Sequence, residues 1–238
     1  MGKVVTFEKL AKTNTGGIAT AAITGGEMQE MAAEFVRLGP GQRWTATAPK
    51  GSDCYLFMLA GAGAIAAGGH KHRLPTQAFA TIQEDVAFTV ENDGPAPADI
   101  VKVVAPPKAD GRFPGFTGTI SVIERDKAPV LDLPKDHKKR LYFVDDHAAK
   151  SERGHTMIVV YDTETVTGLH HHPNAESMFV VLDGALQFTV NGEQVVVKPG
   201  QAAIFGLNDR HGLRVADGLS GASFLEFHIP SAYTTVRA

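Results

Sequence analysis

The chain has 238 residues, enough for one large domain or two small ones. Its 23 Lys and Arg stand against 26 Asp and Glu, and a net charge of −3 argues against general binding to nucleic acid or anionic membrane. No apolar run approaches the ~18 residues of a membrane span, residues 1–17 hold no apolar core of signal-peptide length, and the single Cys54 excludes an internal disulfide and a thiolate-rich metal site. A cytoplasmic location is expected.

In chain order, residues 27–34 could form a helix or lead into a strand, and the apolar stretch 34–38 begins a series of short runs. These continue at 55–59, 99–104, 157–161, 178–182, 186–190, 194–198 and 224–229, rich in β-branched and aromatic residues and bounded by Gly, Pro, Asn or Asp. Such spacing is the signature of an all-β sandwich or barrel. Asn191-Gly192 reads as a tight hairpin turn, because both positions of that turn need positive φ. Pro106, Pro107, Pro114, Pro129 and Pro134 mark 105–139 as a connector that still holds a strand-like stretch at 118–124.

The two halves resemble each other. An apolar strand, a turn glycine and a second strand occur at 55–65 and again at 177–188, with Gly61 and Gly184 123 positions apart. Leu74-Pro-Thr-Gln-Ala and Lys198-Pro-Gly-Gln-Ala follow, with Pro75 and Pro199 124 apart. A near-constant offset over several anchors indicates a duplication. The expected architecture is therefore tandem antiparallel β-barrels, one over residues 1–115 and one over 116–238, the boundary falling within the connector.

The residues that carry chemistry cluster in the second half. On a strand, His170 and His172 point to one side, about 6.7 Å apart, and His171 to the other. Pro173-Asn-Ala makes a turn, after which Glu176 opens the next strand. If Glu176 faces the same interior, so do Met178, Val180 and Leu182, which would then form an apolar cavity wall. Two imidazoles and a carboxylate suit Mn, Fe, Ni, Cu or Zn, and His211 is a candidate fourth donor. Glu226 and His228 share one face of a late strand and are candidate acid/base or supporting groups; the alternative is that Leu225, Phe227 and Ile229 pack inward there. Elsewhere, Cys54 reads as a small buried hydrophobe, Trp44 and Phe35 as packing residues, His70 and His72 as a solvated edge, and 136–140 as a charged solvated loop.

Gly168, His170, His172, Glu176 and Gly184, followed by Pro199, Gly200 and His211, resemble the two motifs of the cupin superfamily. Two departures are that Gly206 and Leu207 stand where the family places a Pro before the late His, and that the last gap of the first motif is one residue longer than usual. The resemblance implies a bicupin of double-stranded β-helix (jelly-roll) barrels, with one divalent metal, Mn or Fe favoured and Ni, Zn or Cu possible, held by His170, His172, Glu176 and His211. Open coordination positions would take water, O2 or substrate. The matching first-half positions are Thr47, Pro49, Asp53 and Ala87, so the first barrel should be metal-free. The layout is also similar to that of the ureidoglycine aminohydrolases, without ligand types that single out that family. Cupins host many reactions, so fold does not fix function. The expectation is an enzyme acting on a small polar organic molecule, a dioxygenase-type oxidoreductase in the first place. A redox-neutral isomerase, lyase or hydrolase, or a small-molecule binding or sensor protein with a structural metal, is the alternative. A homodimer is possible, because cupin barrels pair edge strands.

Overall fold

The computed structural model describes residues 2–105 and 113–237, so Pro106 and Pro107 of the connector lie outside the described residues. Regular structure among the described residues is antiparallel strand plus three 3-10 turns, at Phe7–Lys9, Arg125–Lys127 and Pro134–Asp136. The stretch 27–34 forms no helix; it is a loop that enters the strand Ala32–Leu38.

Four sheets stack in order. A four-stranded sheet (Arg43–Thr47, Ala87–Glu91, Gly63–Ala67, His70–Leu74) and a seven-stranded sheet enclose the first barrel. A second seven-stranded sheet and a five-stranded sheet enclose the second barrel. The five-stranded sheet contains Leu186–Val190, Glu193–Val197, His211–Val215, Val166–His171 and the short Val236–Arg237. The duplication is visible in the strand order. In the first large sheet Phe79–Ile82, Asp53–Ala60, Ala98–Ala105 and Ala32–Leu38 are adjacent, and in the second Gln201–Phe205, Glu176–Asp183, Gly221–Ile229 and His155–Asp162 take the same places. Gly61 and Gly184 both adopt positive φ, and at each a Cβ would fall within 2.6 Å of a backbone carbonyl where the neighbouring strand begins. Only glycine fits that approach. Asn191 and Gly192 likewise have positive φ and join strands paired Val190 to Glu193, as the hairpin reading expected.

The sheets exchange their outermost strands across the 115/116 boundary. Lys3–Thr6 pairs with Gln201–Phe205 of the second barrel, and Ile120–Ile123 pairs with Phe79–Ile82 of the first. The two seven-stranded sheets also pack face to face. Their shared core joins Phe35, Tyr55, Phe57 and Phe79 to Phe143, Met178, Leu225 and Phe227, while each barrel has a separate interior.

This central core decides which way the site strands face. Glu176–Asp183 is buried on both faces: Met178 and Val180 enter the core between the barrels, and Phe179 and Val181 enter the second barrel. The expected cavity wall of Met178, Val180 and Leu182 is thus corrected. Those residues pack against the other barrel, because a strand between two apolar layers has no polar face to fix its phase. The same holds for Gly221–Ile229, whose Leu225, Phe227 and Ile229 join the central core and leave Glu226 and His228 to the second barrel.

Candidate metal centre and cavity

Cross-strand register assembles the site. His170, near the end of Val166–His171, is the direct partner of His211, which opens His211–Val215. His172 lies two residues on from His170 and returns to the same side. The ring centroids of His170 and His211 are 4.3 Å apart, those of His170 and His172 5.0 Å, and those of His172 and His211 5.4 Å. One nitrogen of each ring lies within 4.8 Å of the others, and all three residues are buried.

The hydrogen bonds fix which nitrogens face inward. Nδ1 of His170 donates to the Gly168 carbonyl (2.9 Å), that of His172 to Thr234 (2.9 Å) and that of His211 to Asp209 (3.0 Å). A carbonyl only accepts, so each Nδ1 carries the proton and each Nε2 presents a lone pair. The Nε2 atoms of His172 and His211 are buried and have no hydrogen-bond partner among the described residues. Burial lowers all three imidazole pKa values, to about 4 at His172 and about 3 at His211, so the rings are neutral. Three neutral imidazoles with oriented lone pairs and spent outer nitrogens are a donor set that can hold a divalent metal.

Glu176 is not part of this cluster. Its carboxylate accepts the backbone N–H groups of Gln29 (2.6 Å), Glu30 (3.0 Å) and Met31 (2.9 Å), a concave run of donors in the loop that enters the first barrel. Burial raises its carboxyl above the ordinary range despite these donors. The residue that faces the second barrel at this point is the next one, Ser177, whose hydroxyl is 2.9 Å from His228 Nδ1.

Beside the histidines lies a cavity of about 690 Å³ whose lining includes His170, His172, Phe179, Glu226, His228 and Arg140. Glu226 Oε1 accepts from His228 Nε2 at 2.7 Å. Burial works to raise the Glu226 carboxyl, but His228 and Arg140 hold it below the ordinary carboxylate range. Arg140 belongs to the strand Lys138–Val144, not to a solvated loop; burial opposes its charge, while Tyr142 and Glu226 hold its pKa above the usual value. Its Nε is buried without a partner among the described residues. Tyr233 stacks on His228 with centroids 4.0 Å apart, and His155, pushed down to about 4 by burial, packs beside both.

Among the described residues, the first barrel brings no such group of donors together. Thr47, Pro49 and Ala87 stand at the histidine positions, and Leu56, Met58, Ile65 and Phe88 fill the interior. Trp44 meets Phe88 edge-on and Phe35 stacks on Phe7, as packing residues. Burial pushes the Cys54 thiol up to about 12, which leaves it inert. His70 and His72 lie on the sheet-edge strand His70–Leu74.

Fold and site together define a double-barrel β protein with a three-histidine centre in one barrel. Residues 157–227 match the cupin domain family model, and the chain as a whole has the fold of two-barrel cupins. No curated protein sequence matches it. Among solved structures it is similar to the YlbA protein of E. coli, at 11% identity and TM-score 0.79, with 96% of this chain and 90% of that one covered. It is similar to the Lactobacillus farciminis oxalate decarboxylase at 13% identity and TM-score 0.75, covering 98% of this chain and 88% of that one. A Cupin 2 conserved barrel domain protein from Leptotrichia buccalis gives 16% identity and TM-score 0.66, covering 95% and 96%. No helix of the described residues is long and apolar enough to cross a membrane.

Proposed function

We propose that this protein is a metal-dependent enzyme that acts on a small organic anion by proton transfer. The observation that carries the metal is the pair of buried, unpartnered Nε2 atoms on His172 and His211, whose Nδ1 atoms are already committed to backbone carbonyls. With His170 they make an all-imidazole set, which suits Fe, Zn, Cu or Ni ahead of Mn once Glu176 is engaged elsewhere. When bound, the metal would polarise a substrate oxygen and stabilise negative charge on it.

The chain supplies the rest. Arg140 lines the cavity and carries its guanidinium there beside Glu226, which suits a carboxylate. Glu226 is the base: it is ionised, lines the cavity and is held by His228. His228 steadies the carboxylate through Nε2–H while Nδ1 meets the Ser177 hydroxyl, so a proton taken by Glu226 stays within a hydrogen-bonded chain and can be returned. Phe179 and Tyr233 give the cavity an aromatic wall. An acid/base pair beside the donor set favours redox-neutral chemistry over the dioxygenase alternative. The organic-acid reading rests on Arg140 rather than on the oxalate decarboxylase likeness, which is one of fold.

The test is metal analysis of the purified protein and of His172→Ala, followed by a screen of small mono- and dicarboxylates in an oxygen electrode. Metal in the wild type and none in His172→Ala supports the site. Turnover without O2 uptake supports proton transfer; O2 consumed in step with turnover makes the enzyme a dioxygenase instead.

A further inference from the structure

The segment 231–237 runs beside the metal centre and touches it three times. The carbonyl of Thr234 accepts the Nδ1 proton of His172, Tyr233 stacks on His228, and Val236 and Arg237 pair with His171 and His170 as an added strand. The segment makes little core of its own, since Thr234 to Arg237 are exposed. Its two ends are fixed independently: Ser231 bonds the Glu152 carbonyl through both N–H and hydroxyl, and Val236–Arg237 sits in the five-stranded sheet. In the middle, besides the packing of Tyr233, the backbone around the carbonyl that orients His172 is held by one side chain from outside the segment among the described residues. Asn174 donates from Nδ2 to the Ala232 carbonyl (2.8 Å) and accepts from the Thr234 N–H (2.8 Å). Asn174 is itself exposed and two residues from His172, so it ties the turn after the histidines to the segment without joining any core.

We infer that 231–237 is a positioning strap for the metal centre, with Asn174 as its clasp. The inference rests on the reading that the three histidines hold a metal. An imidazole ligand whose outer N–H has a fixed acceptor is locked in tautomer and ring orientation, and removal of such an acceptor costs about 10- to 100-fold in metal affinity. Among the three histidines, His170 and His211 take their acceptors from within two residues in the chain, Gly168 and Asp209, and so carry their own orientation. His172 takes its acceptor from 62 residues away and depends on the strap. Tyr233 extends the same control to His228 and hence to the Glu226 pair.

The experiment titrates Co(II) and Zn(II) into the metal-stripped full-length protein, into Asn174→Ala and Asn174→Asp, and into a chain ending at Pro230, with a competing chelator. It records the dissociation constant, the visible Co(II) spectrum and the metal-free thermal midpoint. Asn174→Ala should bind Co(II) about tenfold more weakly, with an altered spectrum and an unchanged metal-free midpoint. Asn174→Asp keeps the acceptor for Thr234 N–H, loses the donor, and should fall between. The shortened chain should lose about 10- to 100-fold. Wild-type protein that binds neither ion overturns the three-histidine reading itself. Wild-type binding with unchanged constants and spectra in Asn174→Ala and in the shortened chain overturns the strap alone. The aspartate variant separates clasp from fold, because a merely structural loss would lower its metal-free midpoint and leave its Co(II) spectrum as in wild type, which also overturns the strap.

Discussion

Asp53 and Glu176 stand 123 residues apart at matching positions in the two halves, and each fastens the segment that leads into the opposite barrel. Glu176 accepts the N–H groups of 29–31 just before Ala32–Leu38. Asp53 accepts the Ser151 hydroxyl (2.5 Å), the Phe116 N–H (3.0 Å) and Arg153 (3.4 Å) near the start of His155–Asp162. Together with the exchanged strands Lys3–Thr6 and Ile120–Ile123, these two carboxylates tie the barrels by reciprocal contacts.

Glu176→Gln should therefore separate stability from metal binding. An amide NH2 replaces an acceptor oxygen against backbone donors in a buried site, which costs about 1–3 kcal/mol. Urea unfolding should show that loss while metal stoichiometry stays at the wild-type value. A variant of full stability that has lost its metal would return Glu176 to the ligand set.

The fold was legible in the sequence because turn glycines, the Asn191-Gly192 hairpin and the 123-residue offset are local signals that survive duplication. His170 and His172 were legible for the same reason, since i, i+2 spacing on a strand end fixes a shared side whatever surrounds it, whereas His211 was legible only through its place after Pro199-Gly200. The facing of Glu176 was not. Ser177 through Val181 are buried on both sides, so polarity along the strand gives no phase, and only the packing of one seven-stranded sheet on the other decides it. Arg140 was hidden by its charged neighbours in 136–140, and Asn174 and Thr234 act through backbone contacts 60 residues apart, which no local pattern reports.

Acid should destabilise the metal-free protein before its carboxylates titrate. His155, His170, His172 and His211 all have lowered pKa values, through burial first, with about 4 at His155 and His172 and about 3 at His211. The unfolded chain takes up these protons near the ordinary imidazole value of about 6.5. Stability is thus full above about 6.5 and falls as pH drops from there toward about 4. Asp53 and Glu176 have raised carboxyls, an effect of opposite sign that enters only where carboxylates titrate. Thermal midpoints measured in chelator from pH 8 to pH 4 should show the decline, shallower in His155→Phe. A flat profile would mean that the rings are solvated and protonated in the folded state.

Replacing Arg140 should act on substrate binding. Arg140→Leu removes a half-buried cation from the cavity lining without touching the three histidines. A charge-assisted hydrogen bond is worth about 1.5–3 kcal/mol, so KM for a carboxylate substrate should rise by about one to two orders of magnitude, with metal content unchanged. An unchanged KM for an anionic substrate would move the anion site elsewhere.

Glu226→Gln tests the chemistry. The amide keeps the size of the side chain and a hydrogen bond to His228 but cannot take a proton. If Glu226 is the base, kcat falls by about 10²- to 10⁴-fold while metal content and KM hold. His228→Asn should give a smaller loss, because it removes the group that steadies the carboxylate and not the base itself. Loss of metal in Glu226→Gln would instead make this carboxylate a ligand. The acid side of the second barrel would then have moved from the strand Glu176–Asp183 to Gly221–Ile229, with Ser177 left at the vacated inward position.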